Sequence, residues 1–106
     1  MKALTFTMIV AFAAGCAAAA AAEKSISQKG KVFSETEITV KKGDSLVFVN
    51  DDNVSHNVLS STADHEFNLG AMAPGASAPV TFKTTGDVAV ICAIHPKMKM
   101  AVKVTD

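Results

Sequence analysis

Apolar and polar residues alternate along most of the chain after residue 22. Ser25-Ile26-Ser27-Gln28 reads as a first, edge strand, and Glu37-Ile38-Thr39-Val40 as another, with Val32-Phe33 a short apolar patch between them. Lys41-Lys42-Gly43-Asp44 is a turn signal. The residues that follow, Ser45-Leu46-Val47-Phe48-Val49-Asn50, are rich in β-branched and aromatic side chains and predict a strong strand. Asp51-Asp52-Asn53 breaks it. The pattern next predicts a strand over Val54 to Leu59, a polar loop from Ser60 to Glu66, apolar alternation at Phe67 and Leu69, and a loop from Gly70 to Gly75. Pro79-Val80-Thr81-Phe82, Val88 to Cys92 and Met98 to Val104 complete the set, with Met98, Met100, Val102 and Val104 on one face of the last strand. There is no helical period in this part of the chain. Seven or eight short strands at regular spacing predict a single all-β domain, an antiparallel β-sandwich.

The N-terminus follows another logic. Met1-Lys2 gives a positive start, Ala3 to Gly15 is apolar, and the alanine string ends at Ala20-Ala21-Ala22 before Glu23. That order of charge, apolar run and small residues is a secretory signal peptide, so residues 1–22 are expected to be removed and 23–106 to form the exported domain. A membrane span would need the weakly apolar alanines to reach spanning length. Ala13-Ala14-Gly15-Cys16 bears a weak likeness to a bacterial lipobox, with Ala13 where leucine is usual. It offers lipid anchoring through Cys16 as a second reading of an otherwise periplasmic protein.

Composition narrows the function. Residues 23–106 carry nine lysines, no arginine and ten acids, a formal charge of about −1. With no arginine and no dense basic run, nucleic acid is a poor partner. So small a domain is marginal without help, and a bound metal is one kind of help. Removing the leader also removes Cys16, leaving Cys92 as the sole thiol in a compartment where cysteines normally pair. Such a cysteine is a buried small hydrophobe or a functional thiolate.

Its neighbours favour the second. Cys92-Ala93-Ile94-His95-Pro96-Lys97-Met98 sets a thiol, an imidazole and a thioether at steps of three and three, and Pro96 forces a tight loop rather than a helix. His56, in Val54-Ser55-His56-Asn57-Val58, can supply a second imidazole. Two imidazoles, a thiolate and a weakly held methionine form the trigonal, axially capped set that suits one copper ion cycling between Cu(I) and Cu(II). Zinc rarely recruits a thioether and would leave Met98 idle. Met98 and Met100 share strand parity, so alternation does not choose between them. The short loop after Pro96 favours Met98, with Met100 already inside the last strand.

With these residues in hand, the chain resembles the cupredoxins, the small blue-copper proteins, and most of all their amicyanin and plastocyanin branch. Val40-Lys41-Lys42-Gly43-Asp44, Phe48-Val49-Asn50, His56-Asn57-Val58, Val80-Thr81-Phe82 and Cys92 to Met98 carry the likeness over nearly the whole exported domain. The resemblance implies a Greek-key sandwich with the metal at one end, held by His56, Cys92, His95 and Met98, and an exposed edge on His95 as the electron exit. Two positions depart from the family. Ala93 stands where a serine or threonine often meets the side chain of the asparagine after the first histidine, so Asn57 must tie the two loops by backbone contacts or not at all. Lys97 replaces the aromatic that amicyanins carry in this loop, which weakens any inference about a shared redox partner.

The remaining candidates are weaker. His65, between acids in a polar loop, reads as a solvated residue, with a second weak metal site as the alternative. Met72 and Pro74 read equally well as an apolar rim around the His95 edge or as ordinary loop anchors. Asp51-Asp52 and the group Lys97, Lys99 and Lys103 read as solvated faces. No partnered nucleophile, nucleophile elbow or phosphate loop is present, so no enzyme activity is expected. The expected function is single-electron transfer between larger redox proteins, such as a c-type cytochrome or a periplasmic dehydrogenase or oxidase, by a monomer with no membrane span. The rival is a periplasmic copper-binding or delivery protein using the same ligands without electron transfer. A structural β-domain with an accidental ligand set is a third possibility.

Overall fold

The computed structural model describes residues 21–106. Most of the expected leader, Cys16 included, lies outside the described residues. Nine strands follow in order: β1 (Glu23–Lys29), β2 (Val32–Phe33), β3 (Glu37–Lys41), β4 (Ser45–Asn50), β5 (Val58–Ser60), β6 (Phe67–Asn68), β7 (Ser77–Thr81), β8 (Gly86–Cys92) and β9 (Lys99–Thr105). They form a four-stranded sheet in the order β2-β1-β4-β7 and a five-stranded sheet in the order β3-β9-β8-β5-β6. The all-β sandwich read from the pattern is the observed fold. Val32-Phe33, read as an apolar patch, and Phe67, read from its alternation with Leu69, form the two-residue strands β2 and β6, which bring the count to nine.

Two pairings are parallel, β1 with β4 and β3 with β9, so the sheets are mixed rather than purely antiparallel. Alternation reports which face a residue occupies and is silent on strand direction. The second departure is at residues 54–57. The expected strand over Val54 to Leu59 begins only at Val58, and His56 makes an isolated antiparallel bridge to Met72. The cause is Asn50, wholly buried at the end of β4. Its side-chain amide donates to the carbonyls of Val54 and Met72 at 2.9 and 2.8 Å, and its Oδ1 accepts from the Asp52 amide at 2.9 Å. These bonds coil residues 51–55 into a loop instead of extending them.

Between the sheets the alternating residues meet as expected. Ile26, Leu46, Phe48, Val58, Val88, Val90, Met100, Val102 and Val104 are all buried in one cluster. Phe48 meets Phe33 edge-on at 6.1 Å and Phe67 at 6.4 Å, and Phe67 meets Phe82 edge-on at 6.4 Å, a file of rings through the core. Each fully buried side chain of this size contributes roughly 1.5–3 kcal/mol over leaving it exposed. Cys92 and Met98 belong to the same cluster and the buried His56 lies against Cys92, so the packing that stabilises the domain also fixes its metal-binding candidates.

Candidate metal centre

Three donor atoms converge where β8 ends. Nδ1 of His56 lies 3.1 Å from Nδ1 of His95, and Sγ of Cys92 lies 3.7 Å from the first and 3.9 Å from the second. Among the described residues, this is the group of histidine, cysteine and carboxylate side chains close enough to share an ion. Bonds like those of zinc, roughly 2.0–2.1 Å to imidazole and about 2.3 Å to thiolate, need donor separations of about 3.5 Å between the imidazoles and about 3.8 Å from each to the sulfur at trigonal angles; the two sulfur distances are within ~0.1 Å of that, and the 3.1 Å between the imidazoles closes their angle to roughly 100°. The observed triangle therefore fits one ion. Two imidazole lone pairs and a thiol sulfur turned on one point suit a soft cation better than they suit each other.

Each donor is placed by different means. Cys92 is the last residue of β8 and is fully buried, and the Asn57 amide donates to its sulfur at 3.3 Å. His56 is fully buried and held by paired backbone bonds with Met72, N to O at 3.1 Å and O from N at 2.7 Å. His95 sits in a turn closed by the Met98 amide donating to its carbonyl at 2.8 Å, with Pro96 and Lys97 in the middle positions. Proline's fixed φ suits the first of these. His95 is the partly exposed member, its ring edge-on to that of His56 with centroids 4.9 Å apart.

Met98 enters through strand register. Ile91 pairs with Lys99 and Val90 with Met100, so the next rung sets Cys92 opposite Met98. The Cys92 amide donates to the Met98 carbonyl at 3.1 Å, which closes that rung. Residues opposite one another project to the same face, with Cβ atoms roughly 4.5–5.5 Å apart. Met98 is therefore the methionine on the cysteine's own rung, 1% exposed.

The Ala93 departure resolves as anticipated. Asn57 ties the two loops through its main chain, its carbonyl accepting from the Ala93 amide at 2.9 Å. Its side chain turns away, to Oδ1 of Asn68 at 2.8 Å and the Gly70 carbonyl at 3.0 Å.

Of its two readings Met72 takes that of a loop anchor, 3% exposed, with its sulfur 3.9 Å from the Gln28 amide nitrogen, while Pro74 is exposed. Two other expectations need correcting. His65 is held rather than simply solvated. Its ring nitrogens lie 3.1 Å from the Ala63 carbonyl and 2.9 Å from that of Thr84, and its ring fills the space beside Gly86, where a Cβ would come within 3.2 Å of it. Both nitrogens are engaged with carbonyls, and none of the carboxylates around it joins a ligand cluster. Asp52 is not part of a solvated face: Oδ2 lies 3.0 Å from Nε2 of His56. Neither Asn50 nor Asp52 stood out as a site residue in the sequence, because a polar residue at a strand end looks the same whether it faces water or organises a loop. Lys97, Lys99 and Lys103 are exposed as expected, and Lys97 joins Lys31, Ile94 and Pro96 around the His95 ring.

Comparison with known proteins agrees with this geometry. The family of copper binding proteins of the plastocyanin/azurin type matches residues 20–105. The methylamine utilization protein MauL of Methylorubrum extorquens is 28% identical over 101 residues, 94% of this chain and 89% of that protein. In fold, the chain is similar to an amicyanin variant (TM-score 0.71, 24% identity, 88% of this chain and 90% of that one). It is also similar to a purple cupredoxin from Nitrosopumilus maritimus (TM-score 0.68, 22% identity, 76% and 98%). A copper-containing nitrite reductase from Thermus scotoductus matches over 90% of this chain but only 25% of its own length (TM-score 0.75, 23% identity), so the likeness is to a cupredoxin-sized part of that enzyme and its activity does not come with it. A donor triangle sized for one soft ion, at the end of a mixed β-sandwich whose sequence matches one family from residue 20 to 105, has a single reading: the chain belongs to the plastocyanin/azurin family of copper-binding proteins, the cupredoxins, and its cofactor is copper.

Proposed function

We propose that this protein is an exported mononuclear blue copper protein that carries single electrons between larger redox proteins, with His56 and His95 binding the metal through Nδ1, Cys92 through Sγ and Met98 as the axial sulfur. The observation that carries the reading is the triangle of 3.1, 3.7 and 3.9 Å between the two imidazole nitrogens and the sulfur, with His56 and Cys92 buried and His95 partly exposed. Copper supplies the one-electron couple when bound. The chain supplies the rest. His56 and Cys92 are closed to solvent, and backbone bonds hold both in place before any metal arrives, which keeps the rearrangement between oxidation states small. The Asn57 amide withdraws charge from the cysteine sulfur and so favours the reduced state.

His95, with its partly exposed ring, is the exit for the electron. Around it lie Ile94, half exposed, and Pro96, flanked by Lys31 and Lys97, with no carboxylate in that lining. In a domain of net charge about −1, an apolar patch with a cationic rim suits a partner whose docking face is apolar at its centre and acidic at its edge. A c-type cytochrome or a periplasmic dehydrogenase or oxidase of that description would serve. Voltammetry on gold coated with a mixed methyl- and carboxylate-terminated monolayer checks both parts. A reversible one-electron wave is expected, with exchange that slows as salt rises past the point where the Debye length falls to about 10 Å. Combining Lys31→Glu with Lys97→Glu should slow it about tenfold at low salt. An unchanged rate in the double variant would remove the lysines from the docking face, and no reversible wave at all would end the carrier reading.

Export is the other part of the proposal. Among the described residues no helix is long and apolar enough to cross a membrane. Cleavage after Ala22 would leave a chain starting at Glu23, and the intact mass of the periplasmic protein checks it. The Ala22 amide donates to Asp44 at 2.9 Å and its carbonyl accepts from Ser45 at 3.0 Å, so a cut at that bond gives up two contacts at the head of the β1–β4 ladder. A mature chain beginning at a lipid-modified Cys16 would contradict the soluble assignment.

A further inference from the structure

We propose that Asp52 is a positioning residue of the metal centre: it holds His56 in the tautomer that presents Nδ1 to the metal, and its negative charge biases the centre towards the oxidised ion. The proposal rests on the ligand assignment above and extends it to a residue outside the ligand set.

The geometry is specific. Asp52 is four residues before His56, at the far side of the loop coiled by Asn50. Its Oδ2 lies 3.0 Å from Nε2 of His56 and accepts from the Lys31 amide at 2.9 Å, while Oδ1 accepts from the Asn53 amide at 3.1 Å. Its side chain is only 12% exposed and that of His56 is fully buried. Both carboxyl oxygens thus face nitrogen groups, His56 Nε2 and the Lys31 amide at Oδ2 and the Asn53 amide at Oδ1, the surroundings of a carboxylate accepting on both sides. A carboxylate can only accept, so the imidazole proton beside it sits on Nε2, and the neutral ring then has its lone pair on Nδ1. Nδ1 is the atom turned towards the Cys92 sulfur and the His95 ring. The tautomer needed for binding is thus set by a side chain that never touches the metal.

The hairpin between β1 and β2 is shaped to meet this carboxylate. Gly30 and Lys31 form its two-residue turn, with φ of 65° and 61°. A left-handed conformation costs a lysine about 1 kcal/mol. In that conformation its N–H reaches the same oxygen that His56 uses. One carboxylate therefore joins a ligand histidine to the loop carrying Lys31 on the proposed docking rim.

The charge has its own consequence. A carboxylate accepting from the outer nitrogen of a ligand imidazole makes the ring a stronger donor, and partners of this kind typically change metal affinity 10–100-fold when removed. The more highly charged oxidation state gains more from a nearby negative charge, so losing that charge must raise the reduction potential.

Three variants in the mature protein separate the two roles, with readouts on the metal-free and copper-loaded forms. In imidazole nitrogen NMR of the metal-free protein, His56 should be a single Nε2–H tautomer in the wild type, remain so in Asp52→Asn, whose amide oxygen still accepts, and become a mixture in Asp52→Leu. In voltammetry of the copper-loaded protein, Asp52→Asn should weaken Cu(II) relative to Cu(I) about tenfold, a rise of ~59 mV, and Asp52→Glu should return the potential towards that of the wild type. A single unchanged tautomer in Asp52→Leu would overturn the positioning role, and a potential unmoved in Asp52→Asn would overturn the electrostatic one. Failure of the wild type to bind copper would instead strike at the ligand assignment, and the NMR comparison would still decide the tautomer.

Discussion

Cys92→Ser is expected to abolish the intense visible absorption of the copper-loaded protein while leaving it folded. The colour of such a centre belongs to the bond between copper and a thiolate, and a serine hydroxyl is a hard, weak substitute that provides no comparable transition. The fold should tolerate the change for a local reason. The Asn57 amide that now points at Sγ from 3.3 Å is available to the new hydroxyl, so the buried oxygen is not left without a partner. The metal-free variant should therefore lose no more than about 1 kcal/mol, the scale of one ordinary hydrogen bond. The larger loss is the linkage to metal: copper at 100 times its dissociation constant stabilises the wild type by about 2.7 kcal/mol. In a domain of this size each kcal/mol shifts Tm by about 4–8 °C. Calorimetry with and without copper should show the wild type gaining about 10–20 °C and the serine variant gaining almost nothing. A serine variant that stayed blue would remove Cys92 from the metal.

The axial sulfur carries the second large effect. Met98→Gln should lower the reduction potential by at least ~59 mV, a tenfold change in the relative affinities of the two oxidation states, because an amide oxygen is a harder donor than a thioether and favours Cu(II). It should also move the visible bands. Met100→Leu should do neither. Met98 occupies the rung of Cys92, whereas Met100 is opposite Val90, two residues or about 7 Å further along the strand towards the core. There it is buried with Val102 and Val104, and leucine preserves its volume at a cost below about 1.5 kcal/mol. A potential that followed Met100 and ignored Met98 would reverse the assignment.

How far the sequence could be read depended on how local each feature was. Cys92, His95 and Met98 were legible because one loop carries all three, and Pro96 limits the shapes that loop can take. The faces of the strands were legible because side-chain parity is a local property, and the run Met98, Met100, Val102 and Val104 is buried throughout. His56 was found as a residue but misplaced as part of a strand. Its loop is shaped by Asn50 bonding to Val54 and to Met72, 22 residues away, and spacing holds no trace of that. The parallel pairings escaped for the same reason. Asp52 was hidden most completely. The spacing Asp52 to His56 was visible, but an acid four residues before a histidine has meaning only once the intervening chain is coiled and the Gly30-Lys31 turn is brought against it. His65 shows the converse: flanking acids suggested solvent or a metal, whereas the neighbouring carbonyl of Ala63 and the distant one of Thr84 hold its ring.

The central claim, a copper centre with a cysteine thiolate bond that passes one electron at a time, meets its most direct test in the visible absorption spectrum of the mature protein loaded with copper, recorded oxidised and then after one equivalent of reductant. An intense visible band in the oxidised form, bleached by one electron and restored by reoxidation, is the predicted result. A protein that binds copper yet stays colourless in the presence of oxidant would contradict the account and identify a carrier of Cu(I) instead.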